Sequence, residues 1–456
     1  MLIYLHFYKN QILFYLFITL IIYIICTFIY IKLRYRFWSC QYIYTNYSYF
    51  NKFYKNKIIN DELFKKNKFT NTFDITFIKN NNIDKNTYTN IVNLLIDNYL
   101  TTDNFITKND KDFYNNNNIE YKINDNVLKK CIFNDKTNIS IFFKSDYNFN
   151  KNLNVFDKNN MLGIIQSNKL YLNFYKEKIK EEIHNIEYLC ISNSNYKNKN
   201  KNIDYQLFQT HLYYLNNDVK NKSKNKLNNR KNIKKIYIFK IKNINNKFLV
   251  PLIKYNNYLY DINIFKKSKK AQNTSKNLNL RKSIHNNIRE NKNDILNNIF
   301  KVILINQQNF NIFVNLFEEC KFNFDISILN NLQTILNKVI YKNIFIFALL
   351  QYDTPLCIYI FQNNYICFND RNTIHCISSI NNCINNNVFI NGFYDCLNIL
   401  VQKYNFTYLY IDNLSYNYLL ISNISNKIKV IETNTYYYIL YNYIYDTYQS
   451  NKVFNC

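Results

Sequence analysis

The chain has 456 residues and 48% of them are hydrophobic, which excludes a disordered protein and allows two packed cores. Its formal net charge is +27, but the lysines are scattered among asparagines without an arginine–aromatic patch, which argues against a nucleic-acid partner. The 11 cysteines form no CxxC pair and no Cys/His cluster at zinc spacing, so we expect reduced thiols and no bound metal.

The N-terminal region carries one long apolar run, residues 11–31, which contains no charged side chain. At about 1.5 Å per residue this run is about 31 Å long, enough to cross a hydrocarbon core of about 30 Å. Lys32 and Arg34 follow it directly, whereas a cleaved signal peptide would have a shorter apolar core. The charge asymmetry predicts a single-pass membrane protein with a short tail, residues 1–10, and a large cytosolic domain. A buried core helix is the alternative.

Behind the anchor, the hydrophobic pattern alternates between period 2 and helical spacing, which is typical of an α/β layer fold. The predicted elements are, in chain order, a strand at 72–77, a helix at 87–99, strands at 139–143 and 161–172, a helical turn, a strand at 184–192 and a helix at 203–215.

Residues 265–298 are rich in lysine and asparagine and are predicted to form a linker. After it the alternation starts again, with helices at 310–317 and 328–340, strands at 344–350 and 356–361, a helix at 392–403 and a strand at 435–443. The pattern therefore predicts two halves, residues 35–264 and 299–456.

Five short segments resemble, in the same order, segments of the N-myristoyltransferases. Tyr-Arg-Phe-Trp-Ser-Cys-Gln at 35–41 resembles Tyr-Lys-Phe-Trp-x-Thr-Gln-Pro-Val, although a Phe-Trp pair alone is more typical of an interfacial aromatic anchor. Asn-Tyr-Leu-Thr-Thr-Asp-Asn at 98–104 resembles Asn-Tyr-Val-Glu-Asp-Asp, and Asn-Ile-Glu-Tyr-Leu-Cys-Ile at 185–191 resembles Glu-Ile-Asn-Phe-Leu-Cys-Val. Asn-Asn-Tyr-Leu-Tyr-Asp-Ile at 256–262 resembles Asn-Pro-Arg-Lys-Leu-Ile-Glu-Val, and Tyr-Tyr-Ile-Leu-Tyr-Asn-Tyr at 437–443 resembles Tyr-Tyr-Leu-Tyr-Asn-Trp.

This resemblance implies a duplicated acetyltransferase-type α/β fold behind the transmembrane helix. In such a protein the N-terminal half binds acyl-CoA and the C-terminal half binds the acceptor peptide. The implied reaction transfers a myristoyl group from myristoyl-CoA, a substrate and not a permanently bound cofactor, to the N-terminal glycine of an acceptor protein.

Carried over residue by residue, the resemblance implies three sets of site residues. The backbone N–H groups of Tyr188 and Leu189 would form an oxyanion hole, and the carboxylate of Cys456 would be the base. Contacts with acyl-CoA would come from Arg36, Phe37, Trp38, Cys190 and Ile191. The CoA phosphates would be held by a basic loop, which can also be read as solvated surface: Lys197, Asn198, Lys199 and Asn200.

Departures from the family pattern leave two functions open. Residues 427–434 contain no glycine where the family has a glycine-rich signature, Ile238 takes the place of a threonine, and Asp103 is the only carboxylate in its acidic loop. Cys456 ends the sequence a residue or two earlier than the family pattern. One hypothesis is an active acyltransferase. The other is a catalytically inactive, membrane-anchored relative that binds acyl-CoA, lipid or a protein partner.

Overall fold

The computed structural model describes residues 2–47, 56–60, 65–79, 83, 85–102, 119–122, 137–143, 161–192, 202–224, 236–242, 248–265 and 300–456. By its internal contacts the chain divides into two units, Met1–Ile43 and Tyr44–Cys456.

The first unit is dominated by helix α1, Leu2–Arg34. Its 33 residues span about 50 Å at about 1.5 Å per residue. The part Gln11–Arg34 is long and apolar enough to cross a membrane, which confirms the predicted apolar helix. Thr27 Oγ1 donates to the carbonyl oxygen of Tyr23, so this hydroxyl is satisfied inside the helix. A short 3₁₀ turn, Trp38–Cys40, follows α1.

The second unit is built on β-strands, most of which join one sheet. The described strands are β1 (Lys57–Ile58), β2 (Ile75–Lys79), β3 (Ile119–Tyr121), β4 (Asn138–Phe143), β5 (Met161–Phe174), β6 (Ile179–Ile191), β7 (Ile236–Lys242), β8 (Ile253–Asp261), β9 (Phe300–Leu304), β10 (Ile326–Leu329), β11 (Ile344–Gln351), β12 (Thr354–Gln362), β13 (Ile366–Phe368), β14 (Arg371–Asn381), β15 (Tyr408–Asp412), β16 (Val430–Tyr441), β17 (Tyr443–Ile444) and β18 (Val453–Asn455).

Among the described residues the main sheet has 16 strands, in the order β18-β10-β5-β6-β7-β16-β8-β15-β14-β12-β11-β9, with side branches through β4 and β13. One strand from late in the chain, β16, lies between the early strands β7 and β8. β16 pairs antiparallel with both β7 and β8, and β10 pairs antiparallel with β5. The two predicted halves therefore share one continuous sheet, and their boundaries stay a prediction because residues 266–299 lie outside the described part of the chain.

Helices cover the sheet with their apolar faces, as the α/β pattern predicts. They are α2 (Lys85–Thr102), α3 (Ile203–Lys224), α4 (Phe310–Cys320), α5 (Leu332–Ile340), α6 (Asn386–Tyr404) and α7 (Asn417–Ser425). α2 lies against β6, α3 against β4 and β5, and α6 against α7 and β9.

Polar side chains set several of these boundaries. Asn385 Oδ1 accepts the N–H of Asn387 at 2.9 Å and caps the start of α6, and Asn405 adopts a left-handed φ of 56° at its end. Because Gly392 packs inside α6 against β11, a Cβ there would lie 2.9 Å from Leu349 Cδ2.

Three predicted elements differ from the structure for local reasons. The predicted helical turn before 184–192 is a tight β-turn, since β5 and β6 pair up to Phe174 and Ile179. The predicted helix 328–340 begins only at Leu332, because residues 326–329 form β10 and Asn331 Oδ1 caps the helix by accepting the N–H of Gln333. The predicted strand 72–77 begins only at Ile75, because Asn71 Oδ1 accepts the N–H groups of Phe73 and Asp74 in a turn.

Candidate active site

A cavity of about 360 Å³ opens in the second unit between strands from both ends of the chain. Its wall includes residues of β5, β6, β7, β14, β15 and β16, together with α5 and the residues around β18. Tyrosines and aliphatic side chains form much of the lining. Asparagines and several ionisable side chains form the rest of the wall, and the ionisable ones are Glu187, Lys240, Lys242, Lys338, His375 and Asp412. The described residues contain no cluster of His, Cys, Asp and Glu suited to a metal ion.

A β-bulge interrupts β6 at the cavity wall. The register pairs Ile164 with Cys190 and Gln166 with Glu187, so that the single residue Ile165 faces both Tyr188 and Leu189. A bulge leaves one extra residue without a ladder partner and turns its peptide groups out of the regular pattern. Backbone N–H groups at such a break are suited to bind a developing oxyanion.

Tyr188 gives the bulge its backbone conformation, with a φ of 52° that is costly for a residue with a Cβ. Its ring offsets part of this cost by packing on Tyr99, with the ring centroids 5.3 Å apart. Behind the bulge, Cys190 is fully buried and its thiol lies 3.6 Å from the carbonyl oxygen of Leu94 in α2. Across the pair, Gly163 allows a close approach, since a Cβ there would lie 2.9 Å from the Cys190 carbonyl oxygen.

Glu187 directly precedes the bulge, and its carboxylate is exposed to the cavity although protein surrounds the cavity. Asn185 Nδ2 donates a hydrogen bond to Glu187 Oε1. Burial raises the pKa of Glu187, and it outweighs the opposing effects of Lys338, the Asn185 hydrogen bond and Lys240. The carboxylate therefore binds a proton more readily than an ordinary glutamate.

A second carboxylate, Asp412 at the end of β15, has the opposite character. Its Oδ2 lies 3.0 Å from His375 Nε2, and its Oδ1 accepts Asn257 Nδ2 at 2.8 Å. Burial acts to raise the pKa of Asp412, but the charges of His375 and Lys240 and these two hydrogen bonds together lower it. Asp412 is thus held as an anion with its oxygens committed to neighbours.

Cys456 reaches the same cavity through β18, which pairs in parallel with β10. Its N–H donates to the carbonyl oxygen of Ile328 at 3.0 Å. Its own carbonyl oxygen accepts the N–H of Asn330 at 2.9 Å and Asn330 Nδ2 at 3.1 Å. Lys338 of α5 lines the cavity beside it.

The fold brings together Tyr188, Leu189 and Cys456, the three residues predicted to be catalytic, in one cavity. Cys190 and Ile191 lie buried in the core and are not among the described residues that line it. The roles predicted for all of these residues stay predictions.

The other predicted acyl-CoA contacts have a different status. Arg36, Phe37 and Trp38 follow α1 in the first unit, where the Phe37 and Trp38 rings meet edge to face with centroids 5.0 Å apart. Their role stays a prediction. The predicted loop at 197–200 lies outside the described residues, as does Asp103.

Sequence reasoning missed the charged groups of the cavity. Glu187 offered a signal, because it stands where the resembling family segment has asparagine. Asp412 and His375 offered none, since they are 37 positions apart and meet only because β14 and β15 pair in parallel. Asn434, which replaces a family glycine, lies in the extended strand β16 and lines the cavity.

The interleaved sheet, its covering helices and the bulged strand at a cavity define an α/β protein of the acetyltransferase type. No family profile and no curated protein matches the sequence. Solved structures do. A Saccharomyces cerevisiae N-myristoyltransferase with bound myristoyl-CoA matches with a TM-score of 0.59 at 11% identity, over 91% of this chain and 94% of that one. The same yeast protein with bound myristoyl-CoA and inhibitors matches with a TM-score of 0.60 at 11% identity, over 91% of each chain. This chain has the N-myristoyltransferase fold, which confirms at the level of fold what the ordered segments indicate.

Proposed function

We propose that this protein transfers an acyl group from an acyl-CoA thioester, with myristoyl-CoA as the donor, to the N-terminal glycine of an acceptor peptide. One observation carries the proposal. In a fold shared with an N-myristoyltransferase that binds myristoyl-CoA, the segment that resembles the family's Phe-Leu-Cys signature forms a bulge at a cavity wall.

The chemistry assigned to the bulge is stabilisation of negative charge. Attack of an amine on a thioester places charge on the carbonyl oxygen, and the N–H groups of Tyr188 and Leu189 would receive it. Removal of one such donor typically slows a reaction about 10²–10³-fold. Because the donors are backbone groups, tyrosine in place of the family's phenylalanine at 188 is compatible with this role.

The test is mass spectrometry of glycine-starting peptides incubated with myristoyl-CoA and the full-length protein in lipid nanodiscs. We expect a peptide heavier by one myristoyl group, and no change in a control peptide whose N-terminus is acetylated. Leu189→Ala keeps the N–H and should retain transfer, whereas Leu189→Pro removes it and should lose transfer while circular dichroism reports an intact fold. Absence of transfer by the parent protein would overturn the proposal.

The second candidate is an inactive relative that binds acyl-CoA without transferring it. Ile238 favours it, because this cavity residue has no hydroxyl where the family pattern has a threonine. Titration of the nanodisc protein with myristoyl-CoA in a calorimeter distinguishes the two. Heat of binding without acylated peptide would select the inactive relative.

The proposal includes a membrane anchor formed by residues 11–31, with the large unit in the cytosol. The apolar helix Gln11–Arg34 and the basic residues Lys32 and Arg34 in its last turn support this topology. A protease added outside intact cells should leave everything beyond Lys32 uncut. Cleavage of the large unit from outside would contradict the cytosolic location.

A further inference from the structure

The cavity contains a carboxylate that the family resemblance does not account for. The segment 185–191 matches the family's signature except that Glu187 stands where the family has asparagine. A carboxylate in a cavity wall, with a raised pKa and no cation from the described part of the chain within salt-bridge distance, is a candidate for a chemical role.

Glu187 lies at the place where the proposed chemistry needs a proton acceptor. It is the residue immediately before Tyr188, so its carboxylate enters the same cavity beside the proposed oxyanion hole. Oε1 accepts a hydrogen bond from Asn185, and no hydrogen bond from another described residue reaches Oε2. One oxygen therefore remains available to an ammonium group of a bound acceptor.

The other side-chain carboxylate that lines the cavity, Asp412, is committed. Asp412 Oδ2 lies 3.0 Å from His375 Nε2, and Oδ1 is bonded to Asn257. At Cys456 one main-chain oxygen accepts two hydrogen bonds from Asn330, and its carboxylate stays the alternative base that the test below includes. Hydrogen bonds to a carboxylate stabilise its charged form and weaken it as a base.

We propose that Glu187 is the general base of the acyl transfer, and that it binds the acceptor's N-terminal ammonium group and removes its first proton. This inference rests on the proposed function and names the group on which the reaction would depend. It also gives the acceptor class a chemical definition, namely a primary amine that arrives protonated.

The proton and electron balance of the step is complete. Glu187 takes one proton from the ammonium group, and the freed lone pair of the nitrogen forms a C–N bond to the thioester carbon. Charge collects on the carbonyl oxygen at the bulge, and then the C–S bond breaks. The CoA thiolate takes the second proton from the nitrogen, the third stays on the product amide, and Glu187 returns its proton to water.

The surroundings of Glu187 make it a stronger base than an ordinary glutamate, because its pKa is raised. Lys338 of α5 and Lys240 of β7 face it and favour its charged form, while burial favours the neutral form and raises its pKa. Burial also raises the pKa of Tyr188 and of Tyr438, the two phenols near it, so both stay neutral. Lysines supply the positive charge that keeps the base ionised before the acceptor binds.

The test compares kcat/KM for peptide acylation across pH in nanodiscs for four proteins. Glu187→Gln should lower kcat/KM about 10²–10⁴-fold, the usual contribution of a general base, and abolish the acidic limb of the pH profile. Glu187→Asn, which introduces the family residue, should be equally slow. Glu182→Gln, an exposed position on the same strand, should match the parent. Calorimetric binding of myristoyl-CoA should be unchanged in all four.

The outcomes separate this inference from the proposed function. If the parent transfers nothing, both are overturned. If the parent transfers and Glu187→Gln or Glu187→Asn does so equally well, the base lies elsewhere and only the Glu187 assignment fails. Appending three residues after Cys456 tests the alternative base. Loss of transfer in the extended protein, with full activity in Glu187→Gln, would show that the C-terminal carboxylate is the general base.

Discussion

Glu187 and Asp412 line one cavity, and both are enclosed by protein, yet their pKa values shift in opposite directions. Asp412 has His375 and Asn257 within hydrogen-bond distance of separate oxygens. Glu187 has only the Asn185 amide at that range among the described residues, and its lysines act from farther away.

The comparison shows how much close partners influence the pKa of a carboxylate in this cavity. Desolvation raises the pKa of both carboxylates, but Asp412 has close partners on both of its oxygens, whereas Glu187 has one on a single oxygen. We interpret Asp412 as an anion that fixes the geometry of β14, β15 and β8, and Glu187 as a carboxylate that is available to accept a proton.

The largest effect on the free energy of unfolding should come from removal of the Asp412 carboxylate. Asp412→Ala leaves the buried Asn257 and the partly buried His375 without their acceptor, and breaking such a largely buried pair costs about 3–5 kcal/mol. Guanidinium unfolding followed by circular dichroism should show this loss. Asp370→Ala is the control, since its pair with Lys122 is exposed and worth about 0–1 kcal/mol. Equal losses in the two variants would mean that Asp412 is not the anchored anion described here.

The pH dependence caused by His211 should have an intermediate effect on the free energy of unfolding. This side chain is buried without an opposite charge from the described residues beside it, so it reports the contribution of burial. His211 is fully buried, with Nδ1 2.8 Å from Ser140 Oγ, and burial together with the charge of His184 lowers its pKa to about 3. The unfolded chain takes up this proton near pH 6.5, so stability falls as the pH drops below that value.

The expected loss is about 1.4 kcal/mol per pH unit, or about 2 kcal/mol between pH 6.5 and pH 5. Unfolding measured at both pH values should show it in the parent. His211→Gln cannot titrate, so its stability should depend less on pH over this interval. A parent and variant with the same pH slope would refute the assignment of a neutral, buried imidazole.

The smallest effect should come from Glu187→Gln, which should stabilise the fold instead of destabilising it. The pKa of Glu187 is raised in the fold, so its ionised form destabilises the native state, and this penalty grows as the pH rises through its ordinary range near 4.3. Glu187→Gln should therefore unfold at a slightly higher temperature than the parent at pH 7, and the difference should vanish near pH 4. A lower unfolding temperature for Glu187→Gln than for the parent at pH 7 would mean that ionised Glu187 does not destabilise the fold, and that it resembles Asp412.

Local order along the chain was available from the amino-acid sequence. The uninterrupted apolar run at 11–31 predicts one long helix that could cross a membrane, and α1 contains it. The alternating hydrophobic pattern located β4, β5, β11 and β12 to within a few residues, because side-chain period and strand geometry are coupled. The hydrophobic period did not predict where β2 and α5 begin, because Asn71 and Asn331 redirect the backbone there.

The candidate active site could be predicted only in part from the sequence. The segment 185–191 pointed to Tyr188 and Leu189, since a short motif is a property of the sequence. The bulge itself depends on register, that is, on which residue of β5 faces which residue of β6, and no local pattern contains that information. The same holds for Cys456, which reaches the cavity only through the parallel pairing of β18 with β10.

Protonation was decided by tertiary structure alone. The sequence contains Glu187, Lys240 and Lys338 as three unremarkable charges among many, and Asp412 and His375 as two residues far apart. Desolvation and Coulomb energy depend on distance and on surrounding matter, which exist only once the sheet has closed around the cavity. The chain therefore specifies which groups can hold a proton, and the fold determines which of them does.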